Sequence, residues 1–447
     1  MSEYKQLIDD VVKKAISKGA DEAEVFLETE RESQVGTRMG EIETLKESIS
    51  RGIGLRVFKG KRLGFVYSSD FNESHLDSII AKALELASYT SVDEYNGLAD
   101  HNGDIVDADL QLYDKKIAEL PQAEKIEICR RMEKRMFDYD KRVTNSEGAT
   151  FYDGNSEIYI ANSYGLNKKL QGSYCYVQCV PIAMEDGKLQ TGYWYSIKRH
   201  FDDLPGAETI AEKAAEKAIR MLGAQKGKTA SVPVVFDQLS AATFISNVLM
   251  AVDGDAVYKK STYLVDKLNQ QVASEIVNIR DDALIPRAAA SSPFDGEGLA
   301  TSNKEIIGRG KLATYMYDTY TARKVGTKTT SNAQRGYSST PTIGGFNFYL
   351  DKGEYSPEEI IGSINSGLYV TSLMGFGADI TTGDYSQGAS GMWIENGKLS
   401  HPVEGITIAS NMLDILNRIE MIGNDLEFMG PASSPTFKVS EMIVAGG

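Results

Sequence analysis

From Arg335 onward the chain is punctuated by glycine: Gly344-Gly345, Gly353, Gly375, Gly377, Gly383, Gly388, Gly391 and Gly397 separate short apolar runs. Glycine supplies the positive φ of tight strand connections, so this spacing predicts many short antiparallel strands. The sharpest signal is Asn396-Gly397 between Met392-Trp393-Ile394 and Leu399, a pair suited to the two positive-φ positions of a type I′ hairpin. Upstream, Val232-Pro-Val-Val-Phe236 reads as a buried strand and Leu239 to Val252 as one largely apolar helix. The C-terminal half is therefore expected to be a barrel-like or closed antiparallel β structure carrying a few helices.

The N-terminal half has a different rhythm. Leu7, Val11, Val12 and Ile16 recur at helical spacing and Lys18-Gly19 stops the run. Strand-like segments follow at Ala23 to Thr29, Ser33 to Arg38 and Ile53 to Phe58, and a turn through Lys59 to Arg62 leads into Leu63 to Tyr67. A helix with the stripe Leu76, Ile79, Ile80, Ala83, Leu84 closes the unit, with Asn72 or Ser74 as its cap. The order recurs: helix Gln122 to Asp138, strands around Thr150, Glu157 to Ala161, Leu170 to Met184 and Leu189 to Ile197, then helix Ala207 to Leu222 ended by Gly223. The fold class expected is α+β, with two helix, antiparallel-strand, helix units (1–110 and 111–225) and a β-rich unit (226–447) joined near Gly223 to Thr229.

A chain of 447 residues with 42% apolar residues has enough material for two or three cores. Lys plus Arg number 48 and Asp plus Glu 63, and the resulting net charge of −15 opposes binding to a phosphate backbone. No apolar run approaches the roughly 18 residues of a membrane span, and Met1-Ser-Glu-Tyr-Lys5 is not laid out as a signal peptide. Three cysteines, Cys129, Cys175 and Cys179, read as reduced thiols. A cytoplasmic protein without membrane or nucleic-acid contact is expected.

Legible catalytic spacings are few. His75, His101, His200 and His401 lie far apart, and none belongs to a zinc-type His-x-x-x-His or His-Glu-x-x-His spacing. Cys175 and Cys179 alternate with Tyr174, Tyr176 and Gln178, and four residues of strand separate them by about 13 Å, too far for one zinc or a disulfide. Gly383-Asp-Tyr-Ser-Gln-Gly388 and Gly388-Ala-Ser-Gly391 miss the Gly-x-Ser-x-Gly elbow, so Ser386 and Ser390 read as turn residues. Gly308-Arg-Gly-Lys311 lacks the rest of a phosphate loop, and Asp253, Asp255, Asp295 and Glu297 sit in acidic glycine turns too sparse for a calcium loop.

Several longer strings do carry a resemblance. Ser292-Pro-Phe-Asp-Gly-Glu-Gly298, Gly367-Leu-Tyr-Val-Thr371, Thr382-Gly-Asp-Tyr-Ser-Gln-Gly-Ala-Ser-Gly391, Trp393-Ile-Glu-Asn-Gly397, Gly405-Ile-Thr-Ile-Ala409 and Ile422-Gly-Asn-Asp-Leu426 resemble, in order and spacing, the TldD/PmbA family, the so-called modulators of DNA gyrase. Gly19-Ala-Asp-Glu-Ala-Glu24 and Gly52-Ile-Gly-Leu-Arg-Val57 fit the same family, on its PmbA (TldE) branch. The resemblance implies a zinc metallopeptidase system in which the TldD-type subunit carries His-Glu-x-x-x-His and a cysteine ligand. The corresponding window here is Ile245-Ser-Asn-Val-Leu-Met250, and the cysteine-bearing insertion after Leu426 is missing. It thus implies a TldE/PmbA-type subunit with no catalytic, cofactor or metal residues of its own. Zinc would reside in a TldD-type partner, the substrate would be unfolded peptide, and the chain would form a homodimer when alone. Thr382, Gly383, Asp384, Tyr385, Ser386 and Ser390 would form a loop touching peptide or partner. The alternatives are a homo-oligomeric hydrolase using Asp384, Ser386 and His401, and a gyrase-modulating binding protein.

Overall fold

The computed structural model describes residues 3–100 and 109–446. His101 lies outside the described residues, as do positions 102–108 of the polar connection between Ser91 and Asp109.

The N-terminal half opens with helix α1 (Glu3–Ser17). Strands β1 (Glu22–Arg38), β2 (Glu41–Lys59) and β3 (Arg62–Ser68) form a meander, and α2 (Glu73–Tyr89) follows. After the short α3 (Lys115–Glu119) the pattern repeats with α4 (Gln122–Tyr139), β4 (Val143–Asn162), β5 (Asn167–Glu185), β6 (Lys188–Thr191), β7 (Trp194–Lys198) and α5 (Ala207–Arg220). The two units stand side by side on one sheet. β1 pairs with β4 from Glu24 opposite Asn162 to Thr37 opposite Ala149, giving the order β3-β2-β1-β4-β5-β6 with β7 also on β5.

Two corrections to the expected strands have one cause. Ala23 to Thr29 and Ser33 to Arg38 are a single strand, and Glu41 to Ser50, which none of the expected strands included, is the first half of β2. That half is exposed on both faces, so it carries no apolar alternation to mark it as a strand. Its register is set by the hairpin turn at Met39 and Gly40, both at positive φ (54° and 81°).

Alternation decides which face does what. Ala23, Val25 and Leu27 of β1 pack with Ile53, Leu55 and Val57 under α1 and α2, while Val35, Phe151, Cys175 and Cys179 pack under α4 and α5. All four helices thus cover one face. Even-numbered positions of β1, Glu24 and Phe26 among them, turn toward the C-terminal half.

The C-terminal half begins with β8 (Gln225–Lys226), β9 (Ala230–Phe236) and α6 (Gln238–Ala251). A second group comprises β10 (Ile279–Asp282), β11 (Asn303–Gly308), β12 (Lys311–Leu312), β13 (Ala333–Gln334), β14 (Thr342–Ile343) and β15 (Asn347–Leu350). The last group is β16 (Ser366–Met374), β17 (Asp384–Glu395), β18 (Lys398–Asn411), β19 (Ile419–Ile422), β20 (Ala432–Ser433) and β21 (Phe437–Gly446). β21 pairs with both β9 and β18, so β21-β9-β16-β17-β18 closes into a five-stranded barrel. Closure leaves the short β8 and β19 at the margins instead of a long free edge. A second sheet, β12-β11-β10-β15-β20, packs beside it, and both contribute to one large core around Phe236, Phe244, Phe348 and Phe437. The junction at Gly223 to Thr229 does not hang free: Gln225 and Lys226 run parallel to Val403 and Glu404.

Asn396 (φ 50°) and Gly397 (φ 74°) form the β17–β18 turn, as the residues dictate. The segment Thr382 to Gly391, expected as a loop, is largely strand: Asp384 through Gly391 pair with β18, and Gly388 through Gly391 also with β16. Its small residues serve packing. A Cβ on Gly391 would lie 2.0 Å from the Tyr369 carbonyl oxygen, so Gly lets two strands approach where a turn was expected.

Candidate functional site

A cavity of about 630 Å³ opens between the two halves. One wall is α6, whose sequence sorts its residues by face: Ala241, Phe244, Ile245 and Val248 enter the core, while Leu239, Ala242, Thr243, Ser246 and Leu249 line the cavity. Opposite stand Gln190 to Tyr193, Tyr195, Lys217 of α5 and Met221 just past its end. Thr371 to Leu373, Ser390 and the segment Met429 to Ala432 complete it. Gly192 makes the wall possible, because a Cβ there would sit 2.0 Å from the Ala214 carbonyl oxygen of α5.

The cavity's electrostatics are quiet. Lys217 is tied by its Nζ to Asp237 at 2.6 Å, and Asp237 caps α6 by accepting from the Ser240 N–H at 2.9 Å. Tyr195 stacks between Tyr176 and Tyr193, each centroid 5.5 Å away, and the Tyr176 and Tyr193 hydroxyls hydrogen-bond at 2.9 Å. Burial pushes the Tyr195 phenol up to about 12 and that of Tyr176 higher still, so neither is a base near neutral pH. The remaining polar lining is hydroxyls and one amide. These residues do not fit a zinc ion, which takes imidazole, thiolate or carboxylate. Among the described residues no group of three His, Cys, Asp or Glu side chains is placed to hold a metal.

Within the window Ile245 to Met250, only Ser246 and Leu249 face the cavity; Ile245 is fully buried in the core and Met250 is half exposed on the surface. Ser246 Oγ donates back to the Ala242 carbonyl at 3.0 Å.

Of the expected loop residues, only Ser390 reaches this cavity. Thr382 Oγ1 donates to Asp384 Oδ2 at 3.0 Å at the start of β17, and Gly383 (φ 81°) packs against Tyr263. Tyr385 lies in the core with its hydroxyl on Gln387 Oε1 at 2.7 Å. Asp384 and Ser386 pair with Asn411 and Ala409, whereas His401 sits at the other end of the ladder beside Pro402, which faces Met392. Six strand residues put His401 about 20 Å from Ser386. The three therefore do not assemble a nucleophile with its base, and His401 Nδ1 meets Ser400 Oγ at 3.2 Å instead. His75 is bonded to Ser68 and His200 to the Gln111 carbonyl. All three thiols are buried, and burial pushes Cys129 and Cys179 up to about 12.

Spacing along the chain offered no signal for Tyr193, Tyr195, Lys217 or Met429, since the first three meet through the packing of α5 on β7 and Met429 joins them from the other half. Asp295 and Glu297, expected as ordinary turn residues, are buried. Glu297 accepts from the Thr319 N–H at 3.0 Å and lies 3.4 Å from Arg56.

No helix of the described residues is long and apolar enough to cross a membrane. Three family models match the chain in succession: the PmbA/TldA metallopeptidase domain 1 over 23–87, central domain over 115–222 and C-terminal domain over 229–446. The metalloprotease PmbA of Escherichia coli O157:H7 is 34% identical, with 99% of this chain and 97% of that protein covered. The metalloprotease TldD homolog of Haemophilus influenzae is 24% identical over 91% of this chain and 86% of its own length. Among solved structures, a Bacteroides thetaiotaomicron protein named for modulation of DNA gyrase superposes with a TM-score of 0.92 at 26% identity, covering both chains fully. TldE from Thermococcus kodakarensis, at 23% identity over 98% of this chain and all of its own, shares the fold with a TM-score of 0.87. The chain belongs to the PmbA/TldD metallopeptidase family.

Proposed function

We propose that this chain is the TldE/PmbA-type subunit of a cytoplasmic zinc peptidase system that acts on unfolded peptides. It lacks catalytic activity alone and pairs with a zinc-bearing TldD-type subunit. The observation that carries this reading is the face α6 presents to the cavity: Ser246 and Leu249, where a hydrolytic zinc centre needs nitrogen or sulfur ligands and a carboxylate base. A long cavity wall of hydroxyls and tyrosines suits an extended peptide backbone better than it suits chemistry. A partner surface is favoured by Phe376, flanked by Gly375 and Gly377 and 99% exposed, with Met374 beside it 57% exposed. An obligate pairing would bury well over about 1,000 Å².

The test is elemental analysis of the purified chain, then peptide cleavage by this chain alone, by a TldD-type subunit alone and by the mixture. The expected result is no stoichiometric zinc, no cleavage alone, and cleavage by the mixture that a chelator abolishes. About one zinc per chain, or chelator-sensitive cleavage by this chain alone, overturns the reading.

A further inference from the structure

The wall that α6 gives the large cavity is uneven. At about 1.5 Å per residue, Leu239 and Leu249 stand about 15 Å apart along the helix axis, and between them the lining is small: Ala242, Thr243 and Ser246. All five residues are partly or fully exposed, so this face opens on free space and not on core. Both hydroxyls of the stretch are committed to the helix itself: Thr243 Oγ1 donates to the Leu239 carbonyl at 3.0 Å and Ser246 Oγ to the Ala242 carbonyl at 3.0 Å. The saddle between the two leucines therefore has no hydroxyl proton to offer a ligand.

The opposite wall is aromatic. Tyr193 and Tyr195 both line the cavity; Tyr195 is partly buried, and Tyr193, at the outer end of the tyrosine row, is 38% exposed. Charge is absent between the two walls. Lys217 is the sole Lys, Arg, Asp or Glu among the described lining residues, and its Nζ is neutralised by Asp237 at 2.6 Å. A charged side chain entering here would leave water without a counter-ion, whereas a neutral ring would bury apolar surface and meet other rings.

Polarity is kept to the strands. Ser372 of β16 and Ser390 of β17 lie opposite one another in the ladder, and their hydroxyls, with that of Thr191, make no hydrogen bond among the described residues. Each can donate to a peptide carbonyl or accept from a peptide N–H. The cavity thus divides into a polar strand side suited to backbone and an apolar saddle suited to one side chain.

We propose that the cavity seats an uncharged aromatic side chain of a bound peptide, its ring held against Tyr193 and Tyr195 on one side and against the saddle of Ala242, Thr243 and Ser246 on the other. Tyr193 and Ser246 then decide which side chain is accepted. The inference rests on the reading of this cavity as a peptide site and adds the class of side chain it selects.

The experiment is titration calorimetry on the full chain with four blocked peptides, N-acetyl-Ala-Ala-X-Ala-Ala-amide, in which X is Phe, Leu, Lys or Glu. The Phe peptide should saturate, more tightly than Leu and at least ten-fold more tightly than Lys or Glu. Ser246→Leu fills the saddle with a better helix former, so it should weaken the Phe peptide at least ten-fold while the thermal midpoint stays level or rises. Tyr193→Leu should remove the preference for Phe over Leu, a ratio that a merely structural residue would not move. The proposal is overturned if Leu binds as tightly as Phe, if either charged peptide comes within ten-fold of Phe, or if Ser246→Leu binds like the parent. Should that variant not fold, the ranking of the four peptides on the unaltered chain decides by itself. If no peptide saturates at millimolar concentration, the inference and the peptide reading of the cavity fall together; if all four saturate alike, the inference alone falls. The assay contains neither zinc nor a partner, so its outcome is independent of the proposed pairing.

Discussion

Neutralising Glu24 should uncouple the two halves of the molecule. Its Oε1 lies 2.5 Å from Arg335 Nη1 and 3.0 Å from Arg56 Nη2, and Glu297 completes the cluster 3.4 Å from Arg56. Arg56 is 7% exposed and the other three side chains 0 to 1%, so solvent screens the cluster little. Glu24→Gln leaves two guanidiniums against one carboxylate. Each lost pair is worth about 4 kcal/mol gross at an effective dielectric of about 20, and part of this is returned because the carboxylate no longer has to be desolvated. A net loss of about 3–5 kcal/mol is expected, in line with other buried pairs broken on one side. Arg335→Met should cost somewhat less, because Glu24 keeps Arg56. The double variant Glu24→Met/Arg335→Met restores charge balance and should recover at least about 2 kcal/mol relative to the sum of the singles.

The two tryptophans make the measurement specific, since Trp194 reports the N-terminal half and Trp393 the barrel. Urea unfolding of single-tryptophan versions should show coincident transitions in the parent. In Glu24→Gln the transitions should separate, because the cluster joins β1 and β2 to residues of the C-terminal half. A Glu24→Gln midpoint within about 1 kcal/mol of the parent, or a double variant no better than the summed singles, refutes the argument.

Two further outcomes follow from local geometry. Gly397→Val forces a β-branched residue to φ 74° and brings its Cβ to 2.9 Å from the Gly362 carbonyl oxygen, so a loss of about 1–3 kcal/mol in denaturant midpoint is expected; an unchanged midpoint refutes it. Asp295 has a folded pKa raised from 3.8 to about 8, by burial first and Glu297 second. The native state therefore holds this proton more tightly than the unfolded chain. Its contribution is full below about pH 4 and is lost as pH rises through about 8. Thermal midpoints should accordingly fall between pH 6 and 9, and Asp295→Asn should flatten that slope; an unaltered slope in the variant counts against the assignment.

What could be read from the residues was what short-range chemistry determines. Asn396-Gly397 demanded a positive-φ turn and made one, and Cys175 and Cys179 alternate along β5 on the face beneath α4 and α5. Closure of the barrel was legible only as a tendency, because it rests on β21 reaching both β9 and β18, a pairing that no local pattern encodes. The exposed half of β2 escaped notice because burial on neither face leaves no period to detect. Asp384 to Gly391 was misjudged because Gly and Ser serve close strand packing as readily as turns, and only the approach of the Tyr369 carbonyl to Gly391 distinguishes them. The sites follow the same logic at longer range. Glu24 and Arg335 are 311 residues apart, and each reads alone as an ordinary surface charge. Their burial becomes visible only once the even-numbered face of β1 is seen to oppose the C-terminal half, and that face is chosen by the helices occupying the other one. The apolar stripes of α1, α2, α4 and α5 thus decide, indirectly, which charges of β1 enter the interface. A substitution that reversed the alternation of β1 would dismantle the cluster without touching any of its members.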